Sequence, residues 1–140
     1  MRLLGIDVGD KRVGLAISDV SQTLARPLVT LTVSGPDAAA EQVAAEAERL
    51  SHEDDGLEAL VVGHPKSLDG TAHAQTSRVE RFVEALRRRT ALPVHLQDER
   101  LSSREAESRL AVRERDWRRR KEKLDAAAAA VILQDYLDRP

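Results

Sequence analysis

An α/β fold on a mixed five-stranded sheet is predicted by three features of the sequence. The runs LLGIDVG and RVGLAIS flank a tight Gly-Asp-Lys turn and read as an antiparallel hairpin. A third β-branched run, LVTLTV, follows with no helical pattern in between. After it, helical and strand patterns alternate, which requires βα crossovers behind an antiparallel start.

Taken in order, SGPD closes the third strand and offers Ser34 or Asp37 as a helix start, and the Ala- and Glu-rich stretch from Ala38 to Leu50 is helical. EALVVG, ending at Gly63, is a short apolar run typical of a strand buried on both faces. The loop HPKSLDGT carries Pro and Gly punctuation. Val79, Phe82, Val83 and Leu86 recur at helical spacing, predicting a second helix from about Ala72 to Arg89, and PVHLQDE is the fifth strand. Ser102 with Glu105 three residues on has the capping-box pattern, and LDAAAAAVILQDYL is a strongly apolar helix destined for the core.

A length of 140 residues suits one domain, residues 1–140, with a core around one sheet. Hydrophobic residues at 41% and charged residues at 33% describe a globular chain rather than a disordered or fibrous one. Cysteine is absent, which excludes thiolate metal sites, a cysteine nucleophile and disulfides, and fits a reducing compartment. The N-terminus has no signal-like apolar stretch and nothing later approaches the ~20 apolar residues of a membrane helix, so a cytoplasmic protein without membrane association is expected.

The net charge of −2 conceals segregation. From Ser34 to Glu58 eight acids face only Arg49, a stretch that repels phosphate. From Arg113 to Lys123 seven bases outnumber three acids, a stretch that attracts it.

Ligand sites in such sheets gather at the carboxyl ends of strands. Asp7 lies at one such end, Gly63 and its loop at another, and Asp98 and Glu99 at a third. Asp125 joins them if the last helix packs across the sheet. Taken alone, Asp7 reads more readily as an Asx-turn or cap residue, and Asp125 reads equally as a first-turn acid favoured by the helix dipole. Successive strand residues face opposite sides, so only one of Asp98 and Glu99 can share the side of Asp7.

GIDVGDKRVGLAISD, the P-x-x-x-D-G-T of PKSLDGT, DERLSSREAE and KLDAAAAAVILQDYL, in this order and spacing from Met1 to about Leu137, resemble the signature segments of the YqgF/RuvX family. That family comprises proteins described as Holliday-junction resolvases and pre-16S ribosomal RNA nucleases. The resemblance implies a ribonuclease H-like fold. It also implies an acidic cluster falling on Asp7, Glu99 and Asp125, and it favours Glu99 over Asp98.

Those residue types suit a nuclease. Two divalent ions roughly 4 Å apart, held by carboxylates, position an attacking water and the leaving oxygen of a phosphodiester, and hard Mg²⁺ or Mn²⁺ prefers oxygen ligands. On this reading Asp7 bridges the two ions while Glu99 and Asp125 each anchor one, and no side-chain nucleophile is needed.

Lys11 and Arg12 in the first turn, Arg100 beside Glu99, Arg118, Arg119 and Arg120 in the basic run, and Lys123 before Asp125 are the candidate nucleic-acid contacts. Lys123 matches a basic position of the family's K-[VL]-D pattern. The alternatives are a soluble hairpin tip for Lys11 and Arg12, an ion pair with Asp98 for Arg100, and a solvated helix face for the basic run. Trp117 within that run suits stacking on a base. Ser67, Gly70 and Thr71 fit a phosphate-cradling loop. His64, where the family usually has an apolar residue before Pro, reads as a structural hydrogen-bonded histidine or a group tuning the site.

The expected substrate is four-way junction DNA or precursor ribosomal RNA, and a junction resolvase, which cuts two symmetry-related strands, implies a homodimer. Two other classes compete. One is a non-catalytic nucleic-acid-binding or ribosome-maturation factor, which would treat the acids as relics. The other is a single-lobe nucleotide-binding domain like those of the actin and sugar-kinase ATPases, which need two lobes to clasp ATP.

Overall fold

A computed structural model describes residues 1–65, 73–98 and 117–139. The apolar alternation of the N-terminal segment folds as β1 (Arg2–Val8) and β2 (Arg12–Ser18), antiparallel from Leu4↔Ile17 to Val8↔Val13. The turn closes with Gly9 N donating to Arg12 O at 2.8 Å. β3 (Ala25–Thr32) pairs with β2 from Ser18↔Ala25 to Arg12↔Thr32. It begins before LVTLTV because Ala25, Arg26 and Pro27 also find partners. Pro27 is tolerated because β3 is an edge strand and need not donate outward.

Helix α1 (Pro36–Ser51) starts without a side-chain cap. Gly35 occupies the cap position, Pro36 supplies a pre-set φ, and neither Ser34 nor Asp37 takes the capping role expected of it. Asp37 in the first turn and Arg49 in the last complement the helix dipole. β4 (Leu57–His64), α2 (His73–Arg87), β5 (Val94–Asp98) and α3 (Trp117–Leu137) follow. β4 runs parallel to both β1 and β5, giving the sheet order β3-β2-β1-β4-β5. α3 begins earlier than the apolar LDAAAAAVILQDYL, since Arg, Lys and Glu are good helix formers even where no apolar stripe marks them. The capping-box pair Ser102 and Glu105 lies outside the described residues, as do Ser67, Gly70 and Thr71.

Strand alternation divides the core. Leu4, Ile6, Leu15, Ile17, Leu60 and Val62 point to one side, where they meet Val43 and Leu50 of α1 and Phe82 and Leu86 of α2. Leu3, Ala16, Ala59 and Val61 point to the other, against Ala129, Ile132 and Leu133 of α3. Arg2, buried at the start of β1, is satisfied by Gly56 O (3.1 Å), Leu50 O (3.3 Å) and Glu53 Oε1 (2.8 Å), which ties the end of α1 to the sheet. Hydrogen bonding from Arg2 holds the Glu53 carboxyl below the usual carboxylate range. Among the described residues no helix is long and apolar enough to cross a membrane.

Candidate active site

The α3 side of the sheet is floored by small residues. A Cβ on Gly5 would stand 2.7 Å from Leu133 Cβ and 3.0 Å from Ala129 O. A Cβ on Gly14 would overlap the Asp125 carbonyl oxygen outright. The contact residues Asp125, Ala129 and Leu133 are four apart and share one face of α3. Glycine at positions 5 and 14 therefore lets the helix backbone rest directly on β1 and β2.

This close approach positions the acids. Asp7 falls on the α3 side by its alternation with Leu3, and its partner across the β1–β2 ladder is Gly14. Since the Asp125 backbone sits on Gly14, the two aspartates, near opposite ends of the chain, converge within one ladder step. Asp125 lies more than two turns inside α3, so the helix-dipole reading of it falls away. Arg12 Nε is 2.8 Å from Asp125 Oδ2, an ion pair in which both side chains are about three-quarters buried. Gly9, Asp10, Lys11, Arg12 and Asp125 line a hollow of about 300 Å³. Lys11 is exposed on its rim, and Asp10 is paired to Arg78 Nη2 at 3.7 Å.

The structure thus brings Lys11, Arg12 and Asp125 to one hollow, and places Asp7 on the same side of the sheet, across the ladder from the glycine on which Asp125 sits. Glu99 and Arg100 lie outside the described residues. Arg118, Arg119, Arg120 and Lys123 belong to the first turns of α3, ahead of Asp125, as does Trp117. Among the described residues no group of three or more His, Cys, Asp or Glu side chains gathers around one point.

Asp98 is on the other side. It alternates with Val94, which belongs to the α1 and α2 core, and registers with His64. His64 likewise faces that side: its Nε2 is 3.7 Å from Glu80 Oε1, and it lines a groove of about 410 Å³ with Val83 and Leu96 on the α2 side. The intervening β5 residues His95 and Gln97 face α3, as the stacking of His95 on Tyr136 shows, with ring centroids 5.8 Å apart. Gln97 is buried on that side, a polar residue to which the sequence alone assigns no role. Gly14 was missed too, although an isolated glycine inside a strand is itself a mark of close backbone approach.

The donors that Asp7 and Asp125 offer are carboxylate oxygens, which suit hard cations such as Mg²⁺ or Mn²⁺ and not soft ones. The chemistry of the site therefore fits the divalent ions that the sequence resemblance implies.

Known proteins place this architecture. The ribonuclease H-like fold is shared with RuvC of T. thermophilus, solved in complex with Holliday junction substrate. The TM-score is 0.54, with 18% identity over 99% of this chain and 96% of that one. Among curated proteins, one from Thermoanaerobacter pseudethanolicus named "Putative pre-16S rRNA nuclease" is 41% identical over 140 residues, 99% of this chain and 96% of that protein. A protein of the same name from Anaeromyxobacter dehalogenans is 43% identical over 139 residues, covering 99% and 98%. The family model described as RuvX, Holliday junction resolvase, matches residues 1–139. With relatives of this identity along nearly its whole length, the chain belongs to the RuvX family.

Proposed function

We propose that the protein is a metal-dependent endonuclease that hydrolyses phosphodiester bonds in structured nucleic acid, with Asp7, Asp125 and Glu99 as its metal ligands. The observation that carries this reading is the seating of Asp125 on Gly14, which joins two acids from opposite ends of the chain on one side of the sheet. Glycine at that point is what lets the α3 backbone reach the sheet, since any side chain there would meet the Asp125 backbone. Asp98, on the opposite side, takes no part.

Bound Mg²⁺ or Mn²⁺ would supply Lewis acidity and a nucleophilic water near neutral pH. The protein supplies the rest. Asp7 is fixed by the β1 backbone and Asp125 by the middle of a helix, so both carboxylates are preorganised. Arg12 neutralises Asp125 and presents a guanidinium beside the position a phosphate would occupy. Lys11, exposed at the hairpin tip, meets the phosphate backbone. The bases from Arg118 to Lys123, on the helix segment leading to Asp125, extend this basic approach, with Arg100 beside Glu99.

The family description supports branched DNA as substrate and the names of the curated relatives support precursor ribosomal RNA. Action on a junction would require a two-fold homodimer. The test is cleavage of four-way junction DNA and of structured precursor rRNA side by side, each with Mg²⁺, with Mn²⁺ and with chelator. Metal-dependent cleavage of one substrate, lost in a folded Asp7→Asn protein, is the expected result. Wild-type cleavage by Asp7→Asn would overturn the proposal, and binding of either substrate without cleavage under any condition would favour a maturation factor.

A further inference from the structure

Gln97 of β5 is nine-tenths buried, and its amide oxygen Oε1 accepts no hydrogen bond among the described residues. A buried acceptor without a donor costs stability that an apolar side chain of the same size would not. Such a group calls for a ligand. The sheet register shows what it faces. Gln97 pairs with Gly63 across β5 and β4, and Ile6 pairs with Val62 across β1 and β4. One step further along the same parallel register sets Asp7, Gly63 and Gln97 in a row across three strands. Gln97 shares the α3 side with His95, and Asp7 shares it with Leu3. Adjacent strands lie about 4.8 Å apart, so Asp7 and Gln97 stand about 10 Å apart at the backbone, and Gly63 places no side chain between them.

We propose that Gln97 is a positioning residue of the acidic site: its Oε1 accepts a hydrogen bond from a water in the hydration shell of the divalent cation that Asp7 and Asp125 hold. This rests on the metal-centre reading above and adds a residue to it. Chemistry selects the partner. An acceptor oxygen needs a donor, so phosphate oxygens cannot satisfy it, whereas Mg²⁺ retains several waters whose hydrogens the ion makes strong donors. A neutral amide orients such a water without adding charge to a site already rich in carboxylates. Partners of this kind typically matter 10–100-fold in metal affinity.

The experiment titrates Mg²⁺ alone, without nucleic acid, into the full chain by calorimetry, with metal-free melting measured alongside. It compares wild type with Gln97→Met, Gln97→Glu and Asp7→Asn. Gln97→Met keeps the length of the side chain and removes the acceptor. It is expected to melt no lower than wild type without metal and to bind Mg²⁺ about 10-fold more weakly. Gln97→Glu restores an acceptor and is expected to bind at least as tightly as wild type, while Asp7→Asn loses binding. Wild-type Mg²⁺ affinity in Gln97→Met together with lost binding in Asp7→Asn would overturn the role of Gln97 and leave the metal centre standing. Wild-type affinity in Asp7→Asn would overturn both. A metal-free melting temperature that falls in Gln97→Met and in Gln97→Glu alike, with Mg²⁺ affinity intact, would make Gln97 a purely structural residue.

Discussion

Toward α1 and α2 the first two strands present Leu4, Ile6, Val8, Val13, Leu15 and Ile17, all large and fully buried or nearly so. Toward α3 the same strands present, after Leu3 at the start of β1, only Gly5, Asp7, Gly14 and Ala16 along the stretch where α3 is seated. The first side is filled by branched side chains that hold two helices at ordinary packing distance, where dispersion and apolar burial contribute most. The second gives up that volume and gains a helix backbone seated on the sheet, with an aspartate delivered at its edge. Stability is concentrated on one side and the proposed chemistry on the other, so substitutions on the two sides should separate the two properties.

The largest effect is expected from Gly14→Val. Its side chain would meet the backbone of Asp125 and Ala126 rather than a flexible side-chain end, so α3 must lift. The expected cost exceeds the roughly 1–3 kcal/mol of ordinary overpacking, and metal-dependent cleavage should disappear. Gly14→Ala should show the same losses in smaller measure. A Gly14→Val protein with wild-type melting temperature and cleavage would break the comparison. Next comes Phe82→Ala, which empties the largest fully buried side chain on the opposite side. It should cost about 3–5 kcal/mol, a fall in Tm of very roughly 10–15 °C, while cleavage per folded molecule well below Tm stays near wild type.

The smallest effect concerns neither side. Asp19, in the turn between β2 and β3, accepts from Ser21 Oγ (2.7 Å), Thr23 N (2.7 Å) and Leu24 N (3.1 Å). The Ser21 hydroxyl foremost, then these amides, lower its pKa from 3.8 to about 2. A carboxyl depressed in the folded state stabilises it above the unfolded value and loses that contribution as pH falls through the folded one. Asp19→Asn should therefore melt below wild type by a constant interval above about pH 5, and the interval should shrink between about pH 4 and pH 2. An interval independent of pH down to pH 2 would show that the turn is held by other contacts.

Much of this architecture was readable from residue patterns. The hairpin followed from two apolar runs around a Gly-Asp-Lys turn, and the parallel β4 from the continuous apolar EALVVG, because both signals are local. The start of α3 was less visible. Residues such as Arg118 and Lys121 favour helix without an apolar stripe, and only packing of the later turns shows that the helix continues through them. For the site, alternation already said that Asp98 and Glu99 face opposite ways. Which side held Asp7 depended on tertiary structure, and the placement of Val94 in the α1 and α2 core settles it for Asp98. Gly14 escaped notice because a glycine in RVGLAIS differs from its neighbours only in what it permits from across the sheet. Gln97 escaped because its meaning lies in a register two strands away.

The proposed metal centre requires Asp7 and Asp125 to act on one cation from opposite ends of the chain. Electron paramagnetic resonance of free Mn²⁺, titrated with wild type, Asp7→Asn and Asp125→Asn, tests this without any substrate. Each single variant is expected to reduce Mn²⁺ affinity by about 100-fold or more, as loss of a carboxylate ligand from a hard-cation site should. Unchanged Mn²⁺ binding in either folded variant would contradict it.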